Sequence, residues 1–359
     1  MLYGPTYEEQ TWMPREKSWR NLRGMRAFPP GAASTGVRHA QRAEVFRAAL
    51  EQSEQLFRAA EMVGPETRPM LLFYGLSQAG RALAAASPEL PAAEAGRQPW
   101  QLKGHGIETI PQGPLKDITV TPPKTPNPHG ATSFDGVAQA LGCEGLPRRG
   151  ARLGDLWAAL PDTRYVPLED APPYPALYVQ TQSPYAPPLR SGWSTVDLSG
   201  CPQSLADITD KSVQEQRISE FLSHYPTLDG WRFQPPDGAG RPDTSHTTPG
   251  SLPKTLYVPR HPNPHTPVES LLATPYRGGI HYLLPAIPGN RKPLHPLLIW
   301  WGVLYGLASV ARYEPQNWSK SINIDKKSDR TANAIEHLLE MALSAIPELI
   351  TRELHRLLG

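Results

Sequence analysis

Two short stretches of the chain have almost the same sequence, and each ends on an arginine. Residues 73–81 read FYGLSQAGR and residues 304–312 read LYGLASVAR. In both, a tyrosine stands seven residues before the arginine, which is about two helical turns, so the two side chains share one helix face. A guanidinium forms strong hydrogen bonds to phosphate or carboxylate. If the two helices pack together, Arg81 and Arg312 would converge on one site for an anionic ligand.

The two stretches also have a purely structural interpretation. Glycine or alanine stands at positions 75, 80, 306 and 311. Such small residues let a neighbouring helix approach closely, although each glycine lowers helix propensity by about 1 kcal/mol. In that case both stretches are core helices whose arginines extend into solvent. The sequence favours this interpretation and leaves the shared anion site open.

Two other stretches contain residues that could complete an anion site. In LKGHGI, residues 102–107, His105 stands between two glycines that free the backbone to approach a ligand. Such a histidine can transfer a proton or hydrogen-bond a phosphate, and it can equally fix a turn. In ARYEPQNW, residues 311–318, Glu314 follows Arg312 closely enough for an ion pair, or for both to face a ligand. The predicted ligand-binding residues are therefore Arg81, His105, Arg312 and Glu314.

A second candidate site lies near the C-terminus. In RTANAIEH, Arg330 precedes His337 by seven residues, so a helix would place both on one face. A metal-independent ribonuclease needs an arginine that holds a phosphate and a histidine that moves a proton. One such pair at this spacing is common by chance, so a catalytic role for it is an alternative hypothesis.

Other classes of protein are disfavoured by the sequence. The net charge is only +2, which does not indicate a strongly charged partner. Cys143 and Cys201 form no metal or disulfide pattern, and no phosphate-binding loop or dinucleotide motif occurs, so we predict no metal and no cofactor. Ser77 lies in GLSQAG, one residue too long for a hydrolase nucleophile elbow. The longest apolar run, residues 297–311, is shorter than the roughly 18 residues of a membrane span. We expect a cytoplasmic protein with no membrane partner.

The distribution of proline divides the chain. Of 42 prolines, 34 fall within residues 88–296. Proline interrupts helices and sheets, so the middle should be rich in loops while the two ends are regular. We therefore predict a mainly α fold, a helical bundle from N- and C-terminal helices with a proline-rich α/β insertion. The predicted divisions are an irregular basic arm (1–37), a first helical part (38–110), the insertion with short strands (111–290) and a second helical part (291–359).

Hydrophobic periodicity predicts the individual elements. Apolar residues at three- and four-residue steps predict helices at about 37–64, 66–86, 133–142, 212–225, 297–312 and 328–358. Ser133 is the expected cap of the third of these helices. Short alternating stretches predict strands within 176–182, 194–198, 230–234 and 255–259, which would form one small sheet.

Three stretches, FYGLSQAGRAL, WQLKGHGI and ARYEPQNW, together resemble the YaaC-like family, a largely uncharacterised bacterial group. The resemblance extends from about residue 40 to the C-terminus. It implies a helical protein whose terminal helices pack together, and it brings no established activity. Arg330 and His337 give a looser similarity to HEPN domains, helical bundles that include ribonucleases of toxin and antiviral systems. That similarity implies that Arg330 holds the scissile phosphate and His337 moves the proton.

Three hypotheses of function follow from these patterns. The first is a regulatory or ligand-binding protein with a site for an anionic ligand, a nucleotide or RNA, between its terminal helices. The second is a HEPN-like metal-independent ribonuclease that works as a homodimer. The third is a structural subunit of a larger assembly, which would meet a protein partner through its proline-rich middle.

Overall fold

A computed structural model gives the architecture of the chain. It describes residues 12–31, 35–92, 98–110, 113–124, 132–169, 174–181, 193–199, 202–228, 255–259, 273–323 and 330–359. The helices are α1 (Arg15–Ala27), α2 (Ala40–Glu61), α3 (Arg68–Ala86), α4 (Ser133–Leu141), α5 (Leu153–Ala158), α6 (Gln203–Ala206), α7 (Lys211–Leu222), α8 (Pro296–Tyr313), α9 (Pro315–Ser321) and α10 (Thr331–Leu358). The predicted mainly α fold is confirmed.

The core consists of α2 and α3 from the N-terminal part packed with α8 and α10 from the C-terminal part. Small residues set the distances between these helices. A Cβ atom added to Gly75 would lie 2.6 Å from the ring of Phe57 on α2, and one added to Gly80 would lie 2.6 Å from the ring of Trp301 on α8. Both glycines are therefore required for close helix packing, as the sequence predicts.

The N-terminal arm differs from its prediction. Irregular structure for residues 1–37 is wrong for residues 15–27, which form α1. Trp19, Leu22 and Met25 recur at three-residue steps and are buried, with Trp19 packed against Phe57 of α2 at a ring distance of 5.4 Å. The basic residues of α1 form ion pairs with an acidic face of α2, among them Arg15 with Glu61. The apolar stripe is narrow, and many polar residues between its members conceal it in the sequence.

Two small antiparallel sheets lie in the middle of the chain. The first contains β1 (Glu108–Ile110), β2 (Thr119–Thr121) and β3 (Ala151–Arg152) in that order. The second has the order β6 (Thr255–Pro259), β5 (Trp193–Ser199), β4 (Leu177–Thr181), β8 (His281–Leu283) and β7 (Thr274–Pro275). Three of the four predicted strands therefore pair in one sheet. The fourth, at 230–234, lies outside the described residues.

The middle segment also contributes to the main core. Leu156 of α5 packs where α8 has Gly302, and Leu153 packs where α8 has Gly306, at 2.9 and 3.1 Å from a Cβ built on each glycine.

The cap of α4 differs from its prediction, because Thr132 rather than Ser133 accepts the backbone N–H of Asp135. No helix in the described ranges combines the length and apolar character needed to cross a membrane.

Candidate functional site

The two related stretches meet because α3 and α8 pack against each other. Gly80 of α3 contacts Trp301 early in α8, and the ring of Phe73 lies 5.2 Å from the ring of Tyr305 further along it. Met70, near the start of α3, lines the same cavity as Arg312, near the end of α8. The two helices therefore run antiparallel. This arrangement brings the tyrosines of the two stretches, Tyr74 and Tyr305, to the same depression.

A glycine-rich loop delivers His105 to the same place. The φ angles of Gly104 and Gly106 are +65° and +81°, a region that favours glycine. A Cβ on Gly106 would lie 2.4 Å from Oγ1 of Thr132, so the loop passes too close to α4 for any other residue. The hydroxyl of Ser133 donates to the Gly104 carbonyl and holds the loop in place. The His105 ring then lies 6.0 Å from the ring of Tyr74 and 5.8 Å from that of Tyr305.

These side chains surround a small open cavity of about 40 Å³, here called the tyrosine cavity. Its lining residues are Met70, Phe73, Tyr74, His105, Tyr305, Ala308, Ser309, Arg312 and Tyr313. A single water needs only about 10–15 Å³ by the same measure, so the cavity has room for a chemical group of a few atoms. Nη1 of Arg312 lies 3.5 Å from the hydroxyl of Tyr74, and its guanidinium lies 5.0 Å from the centre of the Tyr313 ring.

The basic groups at this cavity have no acidic partner in the described part of the chain. Within the described ranges, neither Arg312 nor Arg81 forms an ion pair, and the ring nitrogens of His105 form no hydrogen bond. Arg81 lies beside the cavity without lining it. One of its terminal nitrogens lies 3.5 Å from Oε1 of Gln78, and its Nε is buried without a hydrogen-bond partner.

The electrostatics favour a neutral His105 when no ligand is present. Burial lowers the pKa of His105, and the positive charges of Arg312 and Arg81 lower it further. Burial raises the pKa of Tyr305, whose hydroxyl is hydrogen-bonded to Ser309 and lies near Glu108. No carboxylate lines the cavity among the described residues. The site therefore offers an uncompensated guanidinium, an imidazole and two phenol hydroxyls to an anionic group.

Glu314 lies next to this site and faces away from it. Its carboxylate accepts a hydrogen bond of 2.6 Å from the amide of Asn317 at the start of α9. It forms no ion pair with Arg312, and it does not line the tyrosine cavity. Of the four predicted ligand-binding residues, two line the cavity, Arg81 flanks it, and Glu314 joins α8 to α9.

The predicted catalytic pair lies elsewhere. Arg330 is the residue that precedes α10, and His337 lies two turns into that helix. Nε2 of His337 lies 2.8 Å from the backbone carbonyl of Asp162, so the ring donates this hydrogen bond through its Nε2–H group. Neither residue lines the tyrosine cavity.

The sequence reasoning did not identify a buried ionic cluster, here called the Arg277 centre. Arg277 is 2% exposed and pairs with Asp162 at 2.9 Å and with Glu348 at 3.1 Å. It also donates to Ser344, while Tyr276 donates to Asp162 and accepts from Trp300. Burial raises the pKa of Tyr276 well above 10, and the adjacent Asp162 raises it further, so it remains a phenol. The partners are about 70 and 115 positions from Arg277, so no local spacing reveals them.

Other reactive groups do not form a second site of this kind. Burial raises the pKa of the Cys143 thiol to about 12, which makes it unreactive; Cys201 lies outside the described residues. Among the residues that the structure describes, no group of three or more His, Cys, Asp or Glu could hold a metal ion.

Comparison with known proteins identifies a family. Residues 30–354 match the family described as YaaC-like Protein. The matched range includes both related stretches, the His105 loop and the Arg277 centre. Neither the search of curated proteins nor the search of solved structures found a match. No comparison shows the similarity to HEPN domains. The chain belongs to the YaaC-like family.

Proposed function

We propose that this protein is a regulatory, ligand-binding protein whose tyrosine cavity binds the phosphate of a nucleotide or of RNA. The observation that carries the proposal is the uncompensated Arg312 beside a neutral His105 and two tyrosine hydroxyls. Solvated arginines often lack a partner. Here, however, the arginine, an imidazole without a hydrogen bond and the phenols of Tyr74 and Tyr305 come from three segments of chain and border the same cavity.

The size and exposure of the site favour a phosphate with an aromatic group attached. A cavity of about 40 Å³ admits one compact group and leaves the remainder of any ligand on the surface. Two of the aromatic side chains there are exposed, Tyr74 by 39% and Tyr313 by 67%. Exposed tyrosines beside an arginine provide a surface on which nucleic acid bases stack, with about 1–3 kcal/mol per base.

The test is isothermal titration calorimetry with three probes: inorganic phosphate, ATP and an unlabelled RNA of eight nucleotides. Replacement of Arg312 by Gln removes a charged hydrogen bond of about 1.5–3 kcal/mol, so the Kd of the bound probe should increase by about 10- to 150-fold. Arg81→Gln should have a smaller effect because Arg81 only flanks the cavity. Arg47→Gln is the matched control, since Arg47 is exposed on α2 and has no ion pair in the described part of the chain.

The outcomes separate the ligand classes. Binding of RNA with a steep salt dependence and weak binding of ATP would identify RNA, because affinity for a polyanion falls with each phosphate contact. Comparable affinity for ATP would identify a nucleotide. Absence of binding for all three probes, or an equal loss in Arg47→Gln and Arg312→Gln, would contradict the proposal.

The two alternative functions have less support. A ribonuclease that uses His337 would need that ring to reach a substrate, and its Nε2 is hydrogen-bonded to a backbone carbonyl of the protein. Its other ring nitrogen would have to carry out the proton transfer. A structural role through the proline-rich middle depends on a surface much of which lies outside the described residues, so no contact supports it.

A further inference from the structure

A second and larger cavity lies about α1 and the C-terminal helix α10. Its volume is about 440 Å³, within the range of about 300–1,000 Å³ that is typical of pockets for small organic ligands. Residues 12–14 and α1 form one side, the turn at 275–279 forms the second, and α10 forms the third. We call it the N-terminal cavity.

One wall of this cavity is held rigid by the Arg277 centre. Glu348 accepts hydrogen bonds from the backbone N–H of Met13 and of Gly278, at 3.2 and 2.7 Å, in addition to its ion pair with Arg277. The guanidinium carbon of Arg277 lies 3.9 Å from the centre of the Trp12 ring, so the two side chains stack. These contacts join the three sides of the cavity to one buried cluster. They also compensate the charge of Glu348, the acidic residue at the cavity wall.

The remaining lining is apolar with a basic edge. Met13, Pro14 and Leu349 provide apolar surface. Lys17 and His355 line the cavity from α1 and α10, and neither side chain forms a hydrogen bond or ion pair within the described ranges. Arg352 lines it as well, although its guanidinium is already bound to Glu353 and to the Pro275 carbonyl. An apolar wall, a fixed polar floor and an unpaired lysine are the features that bind an organic anion.

We propose that the N-terminal cavity is a binding site for a small organic anion with an apolar body, whose charged group is bound by Lys17. The ligand class differs from that of the tyrosine cavity, since this cavity has room for an apolar body and the charged group lies at its edge. The two sites share no lining residue. This proposal therefore stands or falls independently of phosphate binding at Arg312.

The test uses a pair of dyes of nearly the same shape. The anion 8-anilinonaphthalene-1-sulfonate and the uncharged N-phenyl-1-naphthylamine both fluoresce on entry into apolar sites, and each is titrated into the full-length protein. We expect one saturable site per chain with a higher affinity for the anion. Asn21→Phe, which places a ring in the cavity from α1, should abolish that site. Lys17→Gln should weaken binding of the anion by about two- to fivefold, as for an exposed ion pair, and leave the uncharged dye unaffected.

Arg20→Gln is the matched control, because Arg20 is exposed on the same helix and does not line the cavity. Circular dichroism and a melting curve confirm that each variant is folded, and Lys17→Gln changes only a solvent-exposed side chain. The proposal is overturned if the anion shows no saturable binding, or if binding survives in folded Asn21→Phe. Equal affinity of the two dyes in wild type and Lys17→Gln would also overturn it, since the site would then not select an anion.

Discussion

Two arginines of this protein lie among aromatic side chains, and their surroundings are opposite. Arg277 is buried, pairs with Asp162 and Glu348, and donates to Ser344. Arg312 is exposed, lies 3.5 Å from one phenol oxygen, and has no carboxylate partner in the described part of the chain. The first arginine has all the partners it needs within the protein. Arg312 retains N–H groups that can donate hydrogen bonds to a ligand.

The comparison shows which charged side chains indicate structure and which indicate a binding site. A paired and hydrogen-bonded arginine stabilises its own surroundings, and removal of one partner leaves the others buried without compensation. An unpaired arginine beside a histidine whose pKa is lowered is an arrangement that an anion would stabilise. The Arg277 centre should therefore govern the free energy of unfolding, and the tyrosine cavity should govern ligand affinity.

The largest expected effect is on stability at the Arg277 centre. Arg277→Met leaves Asp162 and Glu348 buried without their cation, and the free energy of unfolding should decrease by about 3–5 kcal/mol. Arg312→Met changes an exposed side chain and should alter it by no more than about 0.5 kcal/mol. Urea denaturation followed by circular dichroism measures both.

A milder variant keeps this prediction testable if Arg277→Met does not fold. Arg277→Lys retains the charge and loses the planar fork that reaches two carboxylates and a hydroxyl, so it should still be clearly less stable than wild type. Equal stability losses at positions 277 and 312 would remove the distinction between the two arginines.

A smaller effect separates the packing role of the related stretches from their binding role. Gly80→Ala places a methyl group 2.6 Å from the Trp301 ring and 2.9 Å from Val137. The resulting overpacking should reduce the free energy of unfolding by about 1–3 kcal/mol. Gly24→Ala is the matched control, because a Cβ on Gly24 of α1 has no atom within 4 Å. That change should instead stabilise the protein by about 0.4–1 kcal/mol. A neutral Gly80→Ala would mean that α3 and α8 do not pack as closely as described.

The smallest expected effect is a pH dependence that originates at His105. Its pKa in the folded protein lies below the ordinary value of 6.5, so the unfolded chain takes up this proton first as the pH falls. The titration of His105 therefore lowers the free energy of unfolding as the pH falls below about 6.5 and has no effect on it at higher pH. A bound phosphate raises the pKa of His105 again, so ligand affinity should increase as the pH falls from 8 to 6.

The increase should be at most about tenfold for each unit by which the ligand raises the pKa of His105. The ligand must be a phosphodiester, such as the RNA of eight nucleotides, since its charge does not change between pH 6 and pH 8. Calorimetry at pH 6, 7 and 8 on wild type and His105→Gln measures the effect. A pH dependence that persists unchanged in His105→Gln would have to come from another group.

The sequence predicted the end helices and half of the candidate site for identifiable reasons. Helices α3 and α8 have long apolar patterns with small residues at close contacts, and these are local properties that the chain displays directly. Arg312 and His105 were found because a related sequence and two flanking glycines marked them. The α1 helix was missed, since a stripe of three apolar residues among arginines has too weak a period to detect.

The Arg277 centre could not have been predicted in the same way. Its three ionic members come from a short turn after α5, from a turn next to β7 and from the middle of α10, and only folding brings them together. A local signal was present in the sequence YRGG, where Gly278 and Gly279 adopt φ angles of +62° and +76°. That signal marks a sharp turn and not its ionic partners. Glu314 shows the converse, because proximity to Arg312 in sequence did not produce a contact.

The most direct test of this account is a titration of inorganic phosphate followed by NMR of the histidine rings. His105→Gln assigns the signal of His105, while His295 and His337, each hydrogen-bonded within the protein, serve as internal references. We predict that the His105 signal shifts saturably towards the protonated position and that the two reference signals remain unchanged. No shift at His105, or equal shifts at all three rings, would contradict a phosphate site in the tyrosine cavity.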